Sequence, residues 1–502
     1  MSIKAYVSFF AISAAVAHAQ TFTNGTAGTC CDTLLANGLQ HVYTPNDTFY
    51  QTRTSSYWSL AAQLHPNCYV QPTSTSDVVL IVDTLVKDPG CAGTQFAVRA
   101  GGHMPWTNAN NIDNGVTVDL GLMNKTTFDE TSHVASIQPG SRWGAVYQYL
   151  EQFNYTVAGG RAFDVGVGGF IMGGGNTFFA NRFGFGVDNV KNFEVVLASG
   201  EVVNANQEEN NDLFLVLKGG VGSNYGIITR VDMYGIESHQ LWGGIAIHDK
   251  STRPQHLEAH TYWVEHDSEY PPGSTVMAFT YSKALGNITV VNFYQDTVGT
   301  VAAPAFDKWL AIPRTSETLR LGSHFNMASE IDIPYGYRQI LWTTTVRNDI
   351  RIYKRIAELH EQLLEEWKVE GGDPDFNLEV NMQAIARSFT DNGLARGGNI
   401  MGLDRVQDNV TMVLFIFAVK TPELEVRATE KLKLVAEQVE GFASSVDGLV
   451  EWKHLNYAGG FQDPLKSYGA ENLEKMKAAS AKYDPDSVFQ MKSTPGFKVS
   501  KA

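Results

Sequence analysis

Glycine placement constrains this chain more than any other feature. Four clusters, Gly101-Gly102, Gly159-Gly160, Gly166 to Gly175 and Gly219 to Gly226, interrupt the first half of a 502-residue sequence. Backbone without a Cβ can approach a ligand closely, and successive exposed N–H groups in such turns bind anionic oxygens. Turns and bulges between strands account for any one cluster. They do not account for GVGGFIMGGG at 166–175 followed so soon by GGVGSNYG at 219–226, and this density implies a long ligand held at several points by backbone. The G-x-G-x-x-G fingerprint is absent, because the segments starting at Gly166 and Gly220 both lack its last glycine, so a standard dinucleotide fold is disfavoured.

The length exceeds what one hydrophobic core usually organises, so two domains or one large domain with an insertion are expected. With 43% hydrophobic and 18% charged residues, disorder is excluded. The net charge of −15 is the wrong sign for tracking a phosphate backbone, which argues against a nucleic-acid partner. Residues 1–19 read as a signal peptide: Lys4, an apolar run from Ala5 to Val16, then Ala17-His18-Ala19 before Gln20. The run is shorter than the roughly twenty apolar residues of a span. No later stretch is long enough to cross a bilayer, and the most apolar, Val410 to Val419, has the length of a strand. Secretion or residence in the secretory lumen follows. Cys30, Cys31, Cys68 and Cys91 can form two disulfides there. A Cys30–Cys31 bond is strained, so one of the two is expected to reach Cys68 and the other Cys91. No C-x-x-C spacing exists and no metal site is expected. Six N-x-[ST] sequons start at Asn24, Asn46, Asn124, Asn154, Asn287 and Asn409.

From Cys68 to Tyr234 short apolar runs (Val78 to Val82, Phe96 to Arg99, Val116 to Leu120, Val134 to Gln138, Phe193 to Ala198, Ile227 to Met233) alternate with glycine turns, the texture of an α+β domain. Residues 240 to 450 carry longer amphipathic helices, such as Asp349 to Trp367 and Thr421 to Phe442, between strands such as Thr289 to Tyr294 and Val410 to Val419. This second domain is expected to be a sheet with helices on one face. The last fifty residues return to glycine turns and end in a helix from Ala470 to Tyr483.

The order of motifs carries a resemblance. Pro72-Thr73-Ser74, Asp77-Val78, Val98-Arg99-Ala100-Gly101-Gly102-His103, Gly159-Gly160-Arg161, Val165-Gly166-Val167-Gly168-Gly169 and Gly173-Gly174-Gly175 follow one another. Then come Asp188-Asn189-Val190, Val195 to Ala198, Asp212-Leu213-Phe214, Lys218-Gly219-Gly220 and Asn224 to Thr229, with Asn456-Tyr457, Tyr468-Gly469 and Lys482 to Pro485 near the end. Together they resemble the berberine-bridge-enzyme-like FAD-linked oxidoreductases of the vanillyl-alcohol-oxidase superfamily, in their secreted fungal form. The resemblance implies an α+β fold with a two-part, PCMH-type FAD-binding domain (20–236, core about 64–236, completed by 451–502) and a substrate domain (237–450) whose antiparallel sheet is covered by helices. The expected cofactor is FAD, and the expected partners are a small-molecule substrate and dioxygen, the chain acting as a monomer.

The resemblance also implies roles. His103 would bond covalently to the flavin 8α-methyl. Bicovalent members add a cysteine where this chain has Ala162, so a single link is expected, and Phe170 stands where the family often has histidine. Arg99, Ala100, Gly101, Gly102, Gly160, Val165, Gly166, Gly169, Gly173, Gly174, Ile227, Ile228 and Asn456 would contact the cofactor. Tyr457 would be the base. An isolated phenol titrates near 10, so a cation or donor must stand by it. Lys453 and His454 are close in sequence, and strand alternation points Lys453 to the face of Tyr457. Trp106, Gln383, Arg396 and Asn399 are candidate substrate contacts. The activity implied is oxidation of a secondary metabolite, alcohol or sugar with peroxide as product; oxidative cyclisation in secondary metabolism, or a flavin-free carbohydrate-binding glycoprotein, are the competing readings.

Overall fold

A computed structural model describes residues 28–331, 333–370 and 375–502. The expected signal peptide and the Asn24 sequon lie outside the described residues. Among the described residues three large sheets and one two-stranded pair, Tyr155–Thr156 with Ile236–Glu237, organise the fold. The first has four strands in the order Val42–Tyr43, Cys68–Val70, Val116–Asp119, Phe96–Arg99, the last three mutually parallel. The parallel step from Cys68–Val70 to the edge strand Phe96–Arg99 requires a crossover, supplied by the helix Thr75–Lys87. The apolar run Val78 to Val82 therefore lies in a helix and not in a strand. Ser74 accepts from the Asp77 amide at its N-terminus, and Val78, Ile81, Val82 and Leu85 recur at helical spacing on its buried face. The second sheet is antiparallel, in the order Thr126–Asp129, Val134–Ile137, Ile227–Tyr234, Val190–Val196, Val202–Ala205.

The third sheet has nine strands between Leu241 and Val450. Its two faces differ because successive side chains of a strand point to opposite sides. Along Asn377–Ile385, Leu378, Val380, Met382 and Ala384 enter a core shared with the helices Arg253–His266, Ile350–Glu370 and Pro422–Ser445. The same alternation sends Val413, Phe415 and Phe417 of Val410–Val419 into that core. The opposite face carries Glu379, Asn381, Gln383, Leu414 and Ile416 and looks toward the glycine-rich half.

After the third sheet the chain goes back to the first half. Trp452, Leu455, Leu465, Tyr468 and Met476 join a core with Trp143, Val167 and Ile171, and Val488 and Phe489 pack with Val78 and Ile81. Disulfides Cys30–Cys91 and Cys31–Cys68 staple the N-terminal helix Gly28–Ala36 to the first sheet, and no bond joins Cys30 to Cys31. With sequence separations of 61 and 37, each contributes roughly 4 kcal/mol by the chain-entropy relation. Of the described sequon asparagines, Asn46, Asn124, Asn154 and Asn287 are exposed. Asn409 is committed to the fold: its Nδ2 donates to the Val264 carbonyl at 2.8 Å and its Oδ1 accepts from the Arg387 amide at 2.8 Å. Among the described residues no helix is long and apolar enough to cross a membrane.

Several histidines are structural and neutral. His324 lies flat on Tyr147 with ring centroids 3.7 Å apart and bonds Thr156 at 2.7 Å, and His260 bonds Thr411 at 3.0 Å. Burial pushes His260, His324 and His454 down to about 3 and His256 and His360 down to about 4. Their unfolded counterparts titrate near 6.5, so below that pH the unfolded chain binds the extra protons and folding stability is lost as pH falls toward the folded values. Asp267, raised to about 8 by burial, acts in the opposite sense, as do Asp188, Glu379 and Asp484, whose carboxyls burial also raises, and the histidines outnumber them. Urea denaturation should therefore give a lower stability at pH 5 than at pH 7, with a slope of about 1.4 kcal/mol per net proton per pH unit. A curve that is flat or rises toward pH 5 would contradict this assignment.

Candidate active site

A cavity of about 1010 Å³ separates the glycine turns from the free face of the nine-stranded sheet. Two of the glycine clusters form its floor by touching each other. A Cβ on Gly101 would stand 2.6 Å from the Gly166 Cα, and one on Gly166 would stand 2.5 Å from the Gly101 Cα. Only backbone without side chains permits that approach. It brings the turn that follows strand Phe96–Arg99 against the start of the helix Val167–Met172.

Fifteen of the residues anticipated from sequence line this cavity: Ala100, Gly101, Gly102, His103, Trp106, Gly160, Val165, Gly166, Gly169, Gly173, Ile227, Ile228, Gln383, Asn456 and Tyr457. Ala162 and Phe170 line it too. Arg99 does not. Its guanidinium is fully buried behind the turn, donating to the Arg53 carbonyl and Ser56 Oγ, both at 2.8 Å, and lying 3.7 Å over the Tyr57 ring. Gly174 also sits behind the wall, against Met401 and His454. Arg396 and Asn399 correct the substrate-contact expectation. Asn399 Nδ2 donates to buried Asp188 at 2.9 Å, Arg396 bonds the Asn189 side chain, and Lys218 pairs with Asp188 at 3.7 Å. A carboxylate shut away from water draws the donors around it, and these polar residues are spent on it.

His103 is stacked on Trp58, with ring centroids 4.7 Å apart, and Tyr335 approaches its edge at 6.5 Å. Among the described residues its Nε2 has no hydrogen-bond partner. Exclusion of bulk water, with a smaller contribution from Arg142, pushes its pKa down to about 3, so the imidazole is neutral at physiological pH. Trp58 is fixed in turn by donating Nε1 to the Pro334 carbonyl at 3.0 Å.

Tyr457 ends a short 3₁₀ turn, Leu455–Tyr457, and not a strand. Residues three apart eclipse on such a turn, so His454 and not Lys453 meets Tyr457, ring edge to ring face at 4.9 Å. Lys453 points away and pairs with Glu440 at 3.7 Å. Asn456 ties this turn to the glycine run, its Oδ1 accepting from the Gly175 amide at 3.0 Å and its Nδ2 donating to the Gly169 carbonyl at 3.1 Å.

The cation beside Tyr457 is Arg161, a residue that the sequence motifs include without assigning it a role. Its Nη2 donates to the Tyr457 hydroxyl and to Gln383 Oε1, both at 2.7 Å. No carboxylate forms an ion pair with Arg161 among the described residues. The available signal was its position, the one cation of the segment 155–175, directly after Gly159-Gly160. Gln383 Oε1 also accepts from Asn176 at 3.0 Å, while its Nε2 donates to Asn381 Oδ1 at 2.7 Å. Asn381 Nδ2 then donates to Glu379 at 3.0 Å. With the Glu379 oxygen accepting from Asn381, both amides are oriented and the Gln383 carbonyl oxygen is left facing Arg161.

Residues 66–206 match the FAD binding domain family. Over 475 residues the chain is 36% identical to the FAD-dependent monooxygenase sdcF of Emericella nidulans, covering 94% of this chain and 98% of that one. Two solved structures show the same fold. Glucooligosaccharide oxidase from Acremonium strictum, described with a 6-S-cysteinyl, 8α-N1-histidyl FAD, superposes with a TM-score of 0.70 at 19% identity, covering 92% of this chain and 97% of that one. A variant of berberine bridge enzyme gives 0.70 at 16% identity, covering 93% and 99%. These matches overturn the flavin-free reading. The chain therefore belongs to the same family as the FAD-dependent monooxygenase sdcF, a family of FAD-linked oxidoreductases, and has the fold of berberine bridge enzyme.

Proposed function

We propose that this oxidoreductase is a secreted oxidase in which the hydride of a small organic substrate passes to FAD held covalently by His103, while Tyr457 takes the substrate's proton. The observation that carries the reading is the 2.7 Å hydrogen bond from Arg161 to the Tyr457 hydroxyl, in the same cavity as the unpartnered Nε2 of His103. The cofactor side comprises residues 20–236 and 451–502 and the substrate side 237–450. Two disulfides and four exposed sequon asparagines support passage through an oxidising, glycosylating compartment.

The residues present fit FAD. Gly101 and Gly166 are glycines because they touch each other, but a Cβ on Gly169 would meet nothing within 4 Å although the residue lines the cavity. The protein's own packing does not demand glycine there, so close approach by a bound group is the remaining reason for one. When bound, FAD supplies a two-electron acceptor that dioxygen restores with release of hydrogen peroxide. His103 is neutral, with a free ring nitrogen suited to bond formation, and Ala162 in place of cysteine limits attachment to one link. Ala100, Gly102, Gly160, Val165, Gly173, Ile227, Ile228 and Asn456 would form the remaining contacts. Arg161 stabilises negative charge on the Tyr457 oxygen, which suits that oxygen to receive a proton from a substrate hydroxyl. Gln383 and Asn176 hold Arg161 in register, and the apolar wall excludes water from the reacting carbon.

The name of the Emericella nidulans relative favours a second reading, insertion of one oxygen atom into the product. Isotopically heavy dioxygen separates the two: an oxidase, including one whose product then cyclises, releases the label as peroxide, and a monooxygenase incorporates it.

Gly169→Val is expected to unfold at the wild-type urea midpoint while retaining less than a tenth of the flavin; a matching loss of stability would show that packing explains the glycine. Acid precipitation of the wild-type protein should leave its yellow colour in the pellet, and His103→Ala should release it to the supernatant. Tyr457→Phe keeps the ring and removes the base, so anaerobic flavin reduction should slow by about 10²- to 10⁴-fold with flavin content unchanged. Reduction at the wild-type rate would place the base elsewhere.

A further inference from the structure

The strand Asn377–Ile385 sets Glu379, Asn381 and Gln383 in one row on the cavity wall. Tyr457 and Arg161 occupy the Gln383 end, and the proposed chemistry leaves the other end unused. Glu379 accepts from Asn381 Nδ2 and from Thr280 Oγ1, each at 3.0 Å. Both donors are neutral. Among the described residues no cation pairs with Glu379, although Lys283 lines the same cavity. A carboxylate offers about four acceptor sites, so two remain open toward the cavity from a half-buried position on its wall. Leaving such a group half-satisfied is costly unless something completes its shell. Burial raises the Glu379 carboxyl above its ordinary range, opposed by its two donors.

The wall beside the row mixes apolar residues with polar ones, since Thr280, Ser282, Lys283 and Asn377 also line the cavity around Glu379. Leu414 and Ile416 flank it on one neighbouring strand and Val276 on the other, with Leu341 beyond. The amides of Asn381 and Gln383 are engaged with each other and with their neighbours, so Glu379 is the member of the row with acceptor capacity to spare. At about 3.4 Å per residue, Glu379 lies roughly 13 Å from Gln383 along the strand. We infer that Glu379 is the recognition site for a hydroxyl at the far end of an elongated polyol whose body lies against Val276, Leu414 and Ile416 and whose other hydroxyl lies at Tyr457. This rests on the reading of Tyr457 as the reacting end.

The test is equilibrium binding to the purified holoenzyme, read from the perturbation of flavin absorbance, with three probes: p-phenylphenol, p,p′-biphenol and its monomethyl ether. In the wild type p,p′-biphenol should bind at least about tenfold tighter than p-phenylphenol, the size expected of a hydrogen bond to a charged acceptor. The monomethyl ether, which lacks the distal donor, should bind no tighter than p-phenylphenol. In Glu379→Leu the ratio of the p,p′-biphenol affinity to the p-phenylphenol affinity should fall to within twofold, the ratio being used because any general effect on the row moves both probes together. If that variant does not fold, Glu379→Gln serves, with the preference reduced at least threefold. Equal binding of the three probes in the wild type, no binding by any, or a preference that survives substitution at Glu379 would overturn the inference. Tyr457→Phe should leave the preference intact, so failure of Tyr457 as the base and failure of Glu379 as a subsite give different results.

Discussion

Gly101 and Gly166 meet backbone to backbone, each standing where the other's Cβ would be. The rest of the site depends on that contact. It joins the turn carrying His103 to the helix Val167–Met172 and makes one continuous floor from two segments far apart in the chain. Asn456 extends the floor to a third segment by bonding Gly169 and Gly175. Through that amide the C-terminal segment fixes Tyr457 relative to the glycine run, and Arg161, directly after Gly160, completes the arrangement from the first half.

The nine-stranded sheet solves a different problem. It must present a polar wall to a ligand while holding a large core together. The two-residue period of a strand does both at once, sending Leu378, Val380 and Met382 under the helices and Glu379, Asn381 and Gln383 into the cavity. Polar groups on that wall would be a liability if left unpaired, and most are not. They satisfy one another in a row that starts at Arg161 and runs to Glu379, with the direction of each amide fixed by the carboxylate at one end and the guanidinium at the other.

Motifs local in sequence were legible. The glycine runs, the histidine after Gly101-Gly102, the capped apolar helices and the strand Val410–Val419 announce themselves by spacing and residue type, because backbone conformation and amphipathic period are properties of neighbours along the chain. The resemblance of these motifs to a flavin-binding family carried the cofactor as well. Even so, Val78 to Val82 shows the limit of a short apolar run, which has no period of its own until the cap at Ser74 is taken into account.

Pairings across hundreds of residues were not legible. Arg161 and Tyr457 are 296 positions apart, and nothing near Tyr457 in sequence foretold that its cation would come from the second glycine cluster. Lys453 was the sequence candidate, and a three-residue 3₁₀ turn was enough to rotate it away. Arg396 and Asn399 read as polar residues open to a ligand, yet buried Asp188 claims Asn399 and stands beside the Arg396–Asn189 bond. The amino-acid sequence by itself determined most of the elements, the glycine runs and the histidine after Gly101-Gly102, since these follow from local sterics and periodicity. The tertiary structure alone decided which charge faces which, because electrostatic partnership depends on distance in space and on exclusion of water, and neither is written along the chain.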